Sequence, residues 1–233
     1  MEQAAKVKSA LTRAAGAARA PGRLMKRSFF EHPPEQVAPR LLGKLLVRWT
    51  HAGPIAGRIV EAEAYLGPHN TPGDPAAHSH RGPTPRNQVL FGPAGHAYVY
   101  SIYGMYYCMN VTCEPTGKAG CILLRALEPV GAFSTAQMAK NRGLARDVDV
   151  RQLASGPSRL CLALGLTRQS HNALDLLDSA SPLQLRDDGF AVKEIAITAR
   201  IGIKHAVDLP LRFVLAGHAC ASGTRKMNRN LIG

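Results

Sequence analysis

The sequence predicts one α+β domain, an antiparallel or mixed sheet with helices packed on it. Strand-like and helix-like segments are mixed without regular βαβ alternation. At 233 residues and 45% hydrophobic content, the chain can bury one substantial core. A third observation is the run Tyr98–Asn110, which holds five of the six tyrosines around Gly104 and reads as two strands joined by a tight turn.

The elements follow in order. Residues 1–27 are Ala, Gly, Arg and Lys with little apolar periodicity, and are expected to form a basic, largely disordered arm ahead of a domain spanning 28–233. A short helix fits Pro34–Leu42 and a strand Lys44–Trp49. Arg58–Tyr65 alternates as a strand, and Leu66–Gly95 is a long Gly/Pro/His/Asn loop of the kind that is functional or disordered. After the hairpin 98–111 come a Gly-rich turn at 117–120 and a strand Cys121–Leu127. Helices fit Ala132–Asn141 and Pro157–Leu164, the second with Ser155 as candidate N-cap and Gly165 as its stop. Strands at Glu194–Arg200 and Leu211–Leu215 complete the set.

Lys and Arg number 29 against 16 acids, a net +13 that favours a phosphate-bearing partner over a merely solvated surface. Seven of the basic residues lie in residues 1–27 against Glu2 alone, so the body is basic as well. In composition the first 27 residues fit either a DNA-binding arm or a targeting segment. Five cysteines without a C-x-x-C pair indicate reduced thiols, not a disulfide framework. No apolar run approaches a membrane span and no hydrophobic signal core is expected.

Three groups of residues carry candidate chemistry. Alternation places Glu61, Glu63 and Tyr65 on one strand face, and from that segment alone a solvent-facing edge is the favoured reading. Arg125, however, shares a face with Leu123 and Leu127, and an arginine in an apolar stripe requires a carboxylate or phosphate. A Glu–Arg pair of that kind is either purely structural or holds a carboxylate aimed at a water. The loop contributes Ala76-Ala-His-Ser-His80 and Thr84-Pro-Arg-Asn87; Thr84 and Arg86 suit a phosphate. His69, His78, His80 and Cys108 raise zinc as a weak alternative without a zinc signature. Tyr103, beside the turn, suits stacking on bases or wedging between them.

Taken together, Glu-Ala-Glu-Ala-Tyr-Leu-Gly-Pro (61–68), Ala-Ala-His-Ser (76–79), Thr-Pro-Arg-Asn (84–87), Tyr98–Asn110 and Leu-Leu-Arg-Ala-Leu-Glu-Pro (123–129) resemble the alkyladenine (3-methyladenine) DNA glycosylase family. Gly-Pro-Ser-Arg-Leu-Cys (156–161), Arg-Ile-Gly-Ile (200–203) and Leu-Arg-Phe (211–213) extend the likeness over roughly 28–215. The resemblance implies a single α+β domain with a curved, largely antiparallel sheet and a protruding, DNA-inserting β-hairpin. It implies a monomeric enzyme that flips a damaged purine from double-stranded DNA and hydrolyses its N-glycosidic bond with water, using no cofactor or metal.

By the same resemblance Glu63 corresponds to the water-activating base, with Arg125 and the carbonyl of Ile201 helping to hold the water. Tyr65, His78 and Tyr100 correspond to the surroundings of the flipped base, and Asn110 to the residue that rejects guanine's amino group. Tyr103 corresponds to the intercalating residue, Met105 to a minor-groove contact, and Thr84 and Arg86 to phosphate contacts. The implied location is the cytoplasm, with the nucleoid, in a prokaryote, or the nucleus or an organelle in a eukaryote. A non-catalytic nucleic-acid-binding module is the competing reading; it explains the charge and the tyrosines but leaves a Glu63–Arg125 pair without a role.

Overall fold

A computed structural model describes residues 21–70 and 73–223. Among the described residues, nine strands form one sheet in which every named pairing is antiparallel. They are β1 (Arg23–Leu24), β2 (Leu45–Thr50), β3 (Gly53–Tyr65), β4 (Ala97–Ile102), β5 (Tyr106–Cys113), β6 (Gly120–Pro129), β7 (Leu183–Asp187), β8 (Ile195–Thr198) and β9 (Arg212–Leu215). The main order is β1-β7-β2-β3-β6-β5-β4. The described residues also form four α-helices: α1 (Pro34–Leu41), α2 (Gly131–Asn141), α3 (Pro157–Leu164) and α4 (Arg168–His171).

The thirteen-residue β3 is the organising strand. One edge pairs with β6 along Gly57–Tyr65. The other pairs with β2 over Gly53–Arg58 and then with β9 over Glu61–Glu63. Its second half is therefore central, and both glutamates are fully buried. The solvent-facing edge expected from the segment alone is corrected by this change of neighbour. Alternation sees one strand and has no access to the β9 that seals it.

The face opposite the glutamates carries the core. Ala62 and Ala64 lie opposite Leu124 and Ile122 of β6, and these pack with Val37 and Leu41 of α1, Met138 of α2 and Leu160 and Leu164 of α3. The β3–β6 register shifts around Ile59, Glu61 and Ala62. Leu127, beyond that shift, packs in the main core, whereas Leu123 and Arg125 line a cleft. The expected shared face thus holds for two of the three residues, because an irregularity re-aims the strand beyond it.

Other boundaries move as well. Arg23 and Leu24, assigned by composition to the arm, pair with Asp187 and Arg186 of β7, and Arg27 is ion-paired with Asp175 at 2.6 Å. Residues 1–20 of the expected arm lie outside the described residues. Strands β1 and β7 and helix α4 have no counterpart in the sequence reading, being two, five and four residues long and so too short to show a hydrophobic period. Ser155 is not the N-cap of α3: Gly156 holds that place with φ 121°, which favours glycine, and the Ser155 hydroxyl donates to the Ala221 carbonyl at 3.1 Å. Gly165 ends α3 in the left-handed conformation, as expected.

Candidate active site

Across the glutamate face, Glu63, Leu123, Asn110 and Tyr98 are successive register partners on β3, β6, β5 and β4. They form one transverse row beneath a cleft of about 750 Å³. The cleft is lined by Tyr65, His78, Arg86, Tyr98, Tyr100, Tyr103, Asn110, Leu123, Arg125 and Ile201, with Pro157 and Ser158 from the start of α3. Of the residues singled out by sequence, Glu63 lies behind this lining, Met105 lies beyond it at the turn, and Thr84 borders a neighbouring recess that also contains Arg86.

The two glutamates are held very differently. Glu61 Oε1 accepts from Arg125 Nε at 2.9 Å, Arg212 Nε at 2.7 Å and the Ser222 hydroxyl at 2.9 Å, while Oε2 accepts from the Ser222 amide at 2.5 Å. Glu63 Oε1 accepts from the Ile201 amide at 2.7 Å and faces Arg125 Nη1 at 3.3 Å; Oε2 accepts from the Tyr65 hydroxyl at 3.0 Å. Burial holds the Glu63 carboxyl above the usual carboxylate range. Arg125, the Ile201 amide and the Tyr65 hydroxyl oppose that shift, and Glu61 adds to it. The Arg125 guanidinium thus fulfils the need inferred from its apolar stripe, and its Nη1 also reaches the Ile201 carbonyl at 3.5 Å.

The pocket walls are aromatic. His78 and Tyr100 meet edge to face at 4.5 Å between ring centroids, and Tyr98 stacks on Tyr100 at 5.3 Å with planes 25° apart. His78 Nδ1 is 3.2 Å from the Tyr98 hydroxyl, and burial, helped by Arg86, pushes its pKa down, toward the neutral ring. Tyr65, which also lines the cleft, carries the Arg200 guanidinium 4.6 Å above its ring. Asn110 is buried, its Oδ1 3.8 Å from Cys121 Sγ. Tyr98 was missed as a wall, although alternation places it on the same face as Tyr100.

The long loop is pinned at named points. Asp74 takes both Nη atoms of Arg200 at 2.6 and 2.9 Å and accepts from the Leu66 and Ala76 amides. Asn87 binds the Thr84 amide and the carbonyls of His78 and Gly82. Thr84 and Arg86 stay exposed, and Arg86 donates to the Ser101 carbonyl at 3.3 Å. His69 pairs with Glu114 at 2.9 Å, separately from the His78–Tyr98 contact. Among the described residues no group of three or more His, Cys, Asp or Glu is placed to hold a metal, so the zinc alternative finds no assembled ligand set.

At the rim, β4 and β5 pair up to Ile102 and Tyr106, and the Met105 amide closes the turn on the Ile102 carbonyl at 3.2 Å. Tyr103 and Gly104 both have positive φ, 51° and 71°. Such turns favour Asn-Gly, and a bulky Tyr in this conformation is strained. Its side chain is 89% exposed, with Met105 at 70% beside it. Local stability does not explain a strained, exposed aromatic here, and such outliers concentrate at functional sites.

Comparison with known proteins agrees with this geometry. The family model for methylpurine-DNA glycosylase matches residues 28–219. A Koribacter versatilis protein provisionally named 3-methyladenine DNA glycosylase is 49% identical over 201 residues, covering 86% of this chain and 94% of its own. Proteins of the same provisional name from Rhodopseudomonas palustris and Methanoculleus marisnigri are 47% and 46% identical, covering 83% and 82% of this chain and 85% and 94% of theirs.

Proposed function

The chain belongs to the methylpurine-DNA glycosylase family, and we propose that it excises alkylated or deaminated purines from duplex DNA, with Glu63 as the base that activates water. The observation that carries this reading is the pairing of a raised, buried carboxylate with Arg125 and the Ile201 backbone behind an aromatic cleft. A target inside the duplex must be extruded, at a cost of roughly a few kcal/mol. Tyr103 fills the space the base leaves, Met105 lies along the minor groove, and Thr84 and Arg86 hold the backbone of the strand. The residues of 1–20, four of them basic against Glu2, add sequence-independent attraction to phosphates.

In the pocket, the flipped purine sits between Tyr65 on one side and His78 and Tyr100 on the other, where an electron-poor ring is favoured over a neutral one. Asn110 at the floor disfavours guanine's amino group. Breaking the N-glycosidic bond builds oxocarbenium character on the sugar, which ionised Glu63 stabilises. A water between Glu63, Arg125 and the Ile201 carbonyl gives its proton to Glu63 as its oxygen attacks the sugar carbon, and the base leaves with the bonding pair. The protein acts as a monomer, in the compartment that holds the DNA. No helix among the described residues is long and apolar enough to cross a membrane.

The test is single-turnover excision from duplexes containing 3-methyladenine, 7-methylguanine, hypoxanthine or 1,N6-ethenoadenine, read as abasic sites. Formation of abasic sites at one or more lesions is expected. Tight binding to all four duplexes with no abasic site would favour the non-catalytic module instead.

A further inference from the structure

The C-terminal segment after β9 reaches back under the site. Ser155 holds the Ala221 carbonyl, Arg212 Nη2 donates to the Ser222 carbonyl at 3.0 Å, and the Ser222 amide donates to Glu61. These contacts place the buried Ser222 hydroxyl between Glu61 and Arg125: Oγ donates to Glu61 Oε1 and accepts from Arg125 Nε at 3.3 Å and Nη2 at 3.1 Å. Ser222 lies outside residues 28–219, the stretch shared with the family model.

A guanidinium is planar, so fixing one edge fixes the other. Arg125 has its Nε–Nη2 edge held by Glu61 and Ser222, and only Nη1 is directed at Glu63 and the Ile201 carbonyl. Glu61 alone supplies one anchor on that edge, at Nε, about which the plane can swing. The second anchor, at Nη2, comes from Ser222.

We propose that Ser222 is a positioning residue for hydrolysis: its hydroxyl locks the rotation of Arg125 and so keeps Nη1 on Glu63 and on the water it activates. This rests on Glu63 acting as the base. The groups around Glu63 are Glu61 and Tyr65 from its own strand, Arg125 from β6, Cys108 from β5, and Ile201 through its amide, with Arg200 over Tyr65 and Arg212 from β9 on Glu61. Removing the hydroxyl takes one donor from Glu61, which keeps the Ser222 amide, Arg125 and Arg212, and loosens Arg125 by freeing its Nη2. Because Arg125 favours ionised Glu63, its loosening moves Glu63 further up and carries the acid limb of the reaction with it.

The experiment measures single-turnover excision against pH for wild type, Ser222→Ala, Ser222→Thr and Glu63→Gln, with lesion-duplex affinity and folded fraction for each. Ser222→Ala is expected to lose about tenfold in maximal rate, the scale of one hydrogen bond to a charged group. It should keep lesion-duplex affinity and show its acid limb at higher pH, and Ser222→Thr, which restores the hydroxyl, should recover most of the rate. A Ser222→Ala protein with wild-type rate per folded molecule and an unmoved acid limb overturns the proposal, as does a rate loss matched by the loss of folded protein. Should Ser222→Ala not fold, Ser222→Cys, with a similar shape and a weak donor, is measured by the same criteria. An active Glu63→Gln would instead remove the base assignment, so the two failures are distinct.

Discussion

Glu61 and Glu63 are two residues apart on one strand, share a face and are equally buried, yet their surroundings give them different work. Glu61 is enclosed by two arginines and Ser222, so its charge is spent holding the C-terminal segment, β6 and β9 together. Glu63 shares Arg125 and has two further donors, an amide and a tyrosine hydroxyl. Burial still outweighs them, leaving a carboxylate with more affinity for a proton than usual. The same residue type at the same depth is thus a structural clamp in one place and a candidate base in the other, and the number and charge of its donors decide which.

The sharpest way to break this comparison is to remove one charge at a time. Glu63→Gln should keep lesion-duplex binding and lose at least ~10²-fold in single-turnover excision, since an amide cannot accept the water's proton. Near-wild-type turnover would end the base assignment. Glu61→Gln should act mainly on stability, costing about 3 kcal/mol in denaturant unfolding because the buried Arg125 and Arg212 lose the carboxylate they share, although Arg125 keeps Glu63. If Glu61→Gln left stability intact while stopping excision, the roles would be reversed.

The pH dependence sharpens the same contrast. Because the folded state holds the Glu63 proton more tightly than the unfolded chain, the contribution of Glu63 to stability is fully present below the ordinary carboxylate pKa and is lost as pH rises through the raised value. Glu63→Gln should therefore melt higher than wild type at neutral pH, with the advantage shrinking on acidification. A melting difference independent of pH would show that Glu63 titrates normally. Activity follows the opposite course, falling as acid protonates the base.

The smallest expected effect on the fold is at the rim. Tyr103→Asn places the preferred Asn-Gly pair in the turn, so stability should be unchanged or slightly higher, by less than about 1 kcal/mol. Base extrusion, followed with a fluorescent base analogue, should nevertheless weaken. An unchanged flipping equilibrium would leave the exposed tyrosine without a role in DNA.

Much of this was legible in the chain. Two-residue alternation put Glu61, Glu63 and Tyr65 together, the apolar stripe of Leu123 demanded a partner for Arg125, and the tyrosine run marked the β4–β5 turn. Tyr98 was readable by the same alternation and overlooked. Short pieces such as β1 and β7 gave no periodic signal, because two and five residues are too few to show one.

By itself the sequence determined the local quantities: which side chains share a face, where strands turn, and that a buried arginine needs a carboxylate, since these depend on residues within a few positions of one another. Only the tertiary structure decided which of the two glutamates is clamped. That choice is made by Arg212 and Ser222, 151 and 161 residues away in the chain and 2.5 to 2.9 Å away in space. No pattern along one strand records which distant donors will close over it, and the environment of a carboxylate, not its identity, sets its proton affinity.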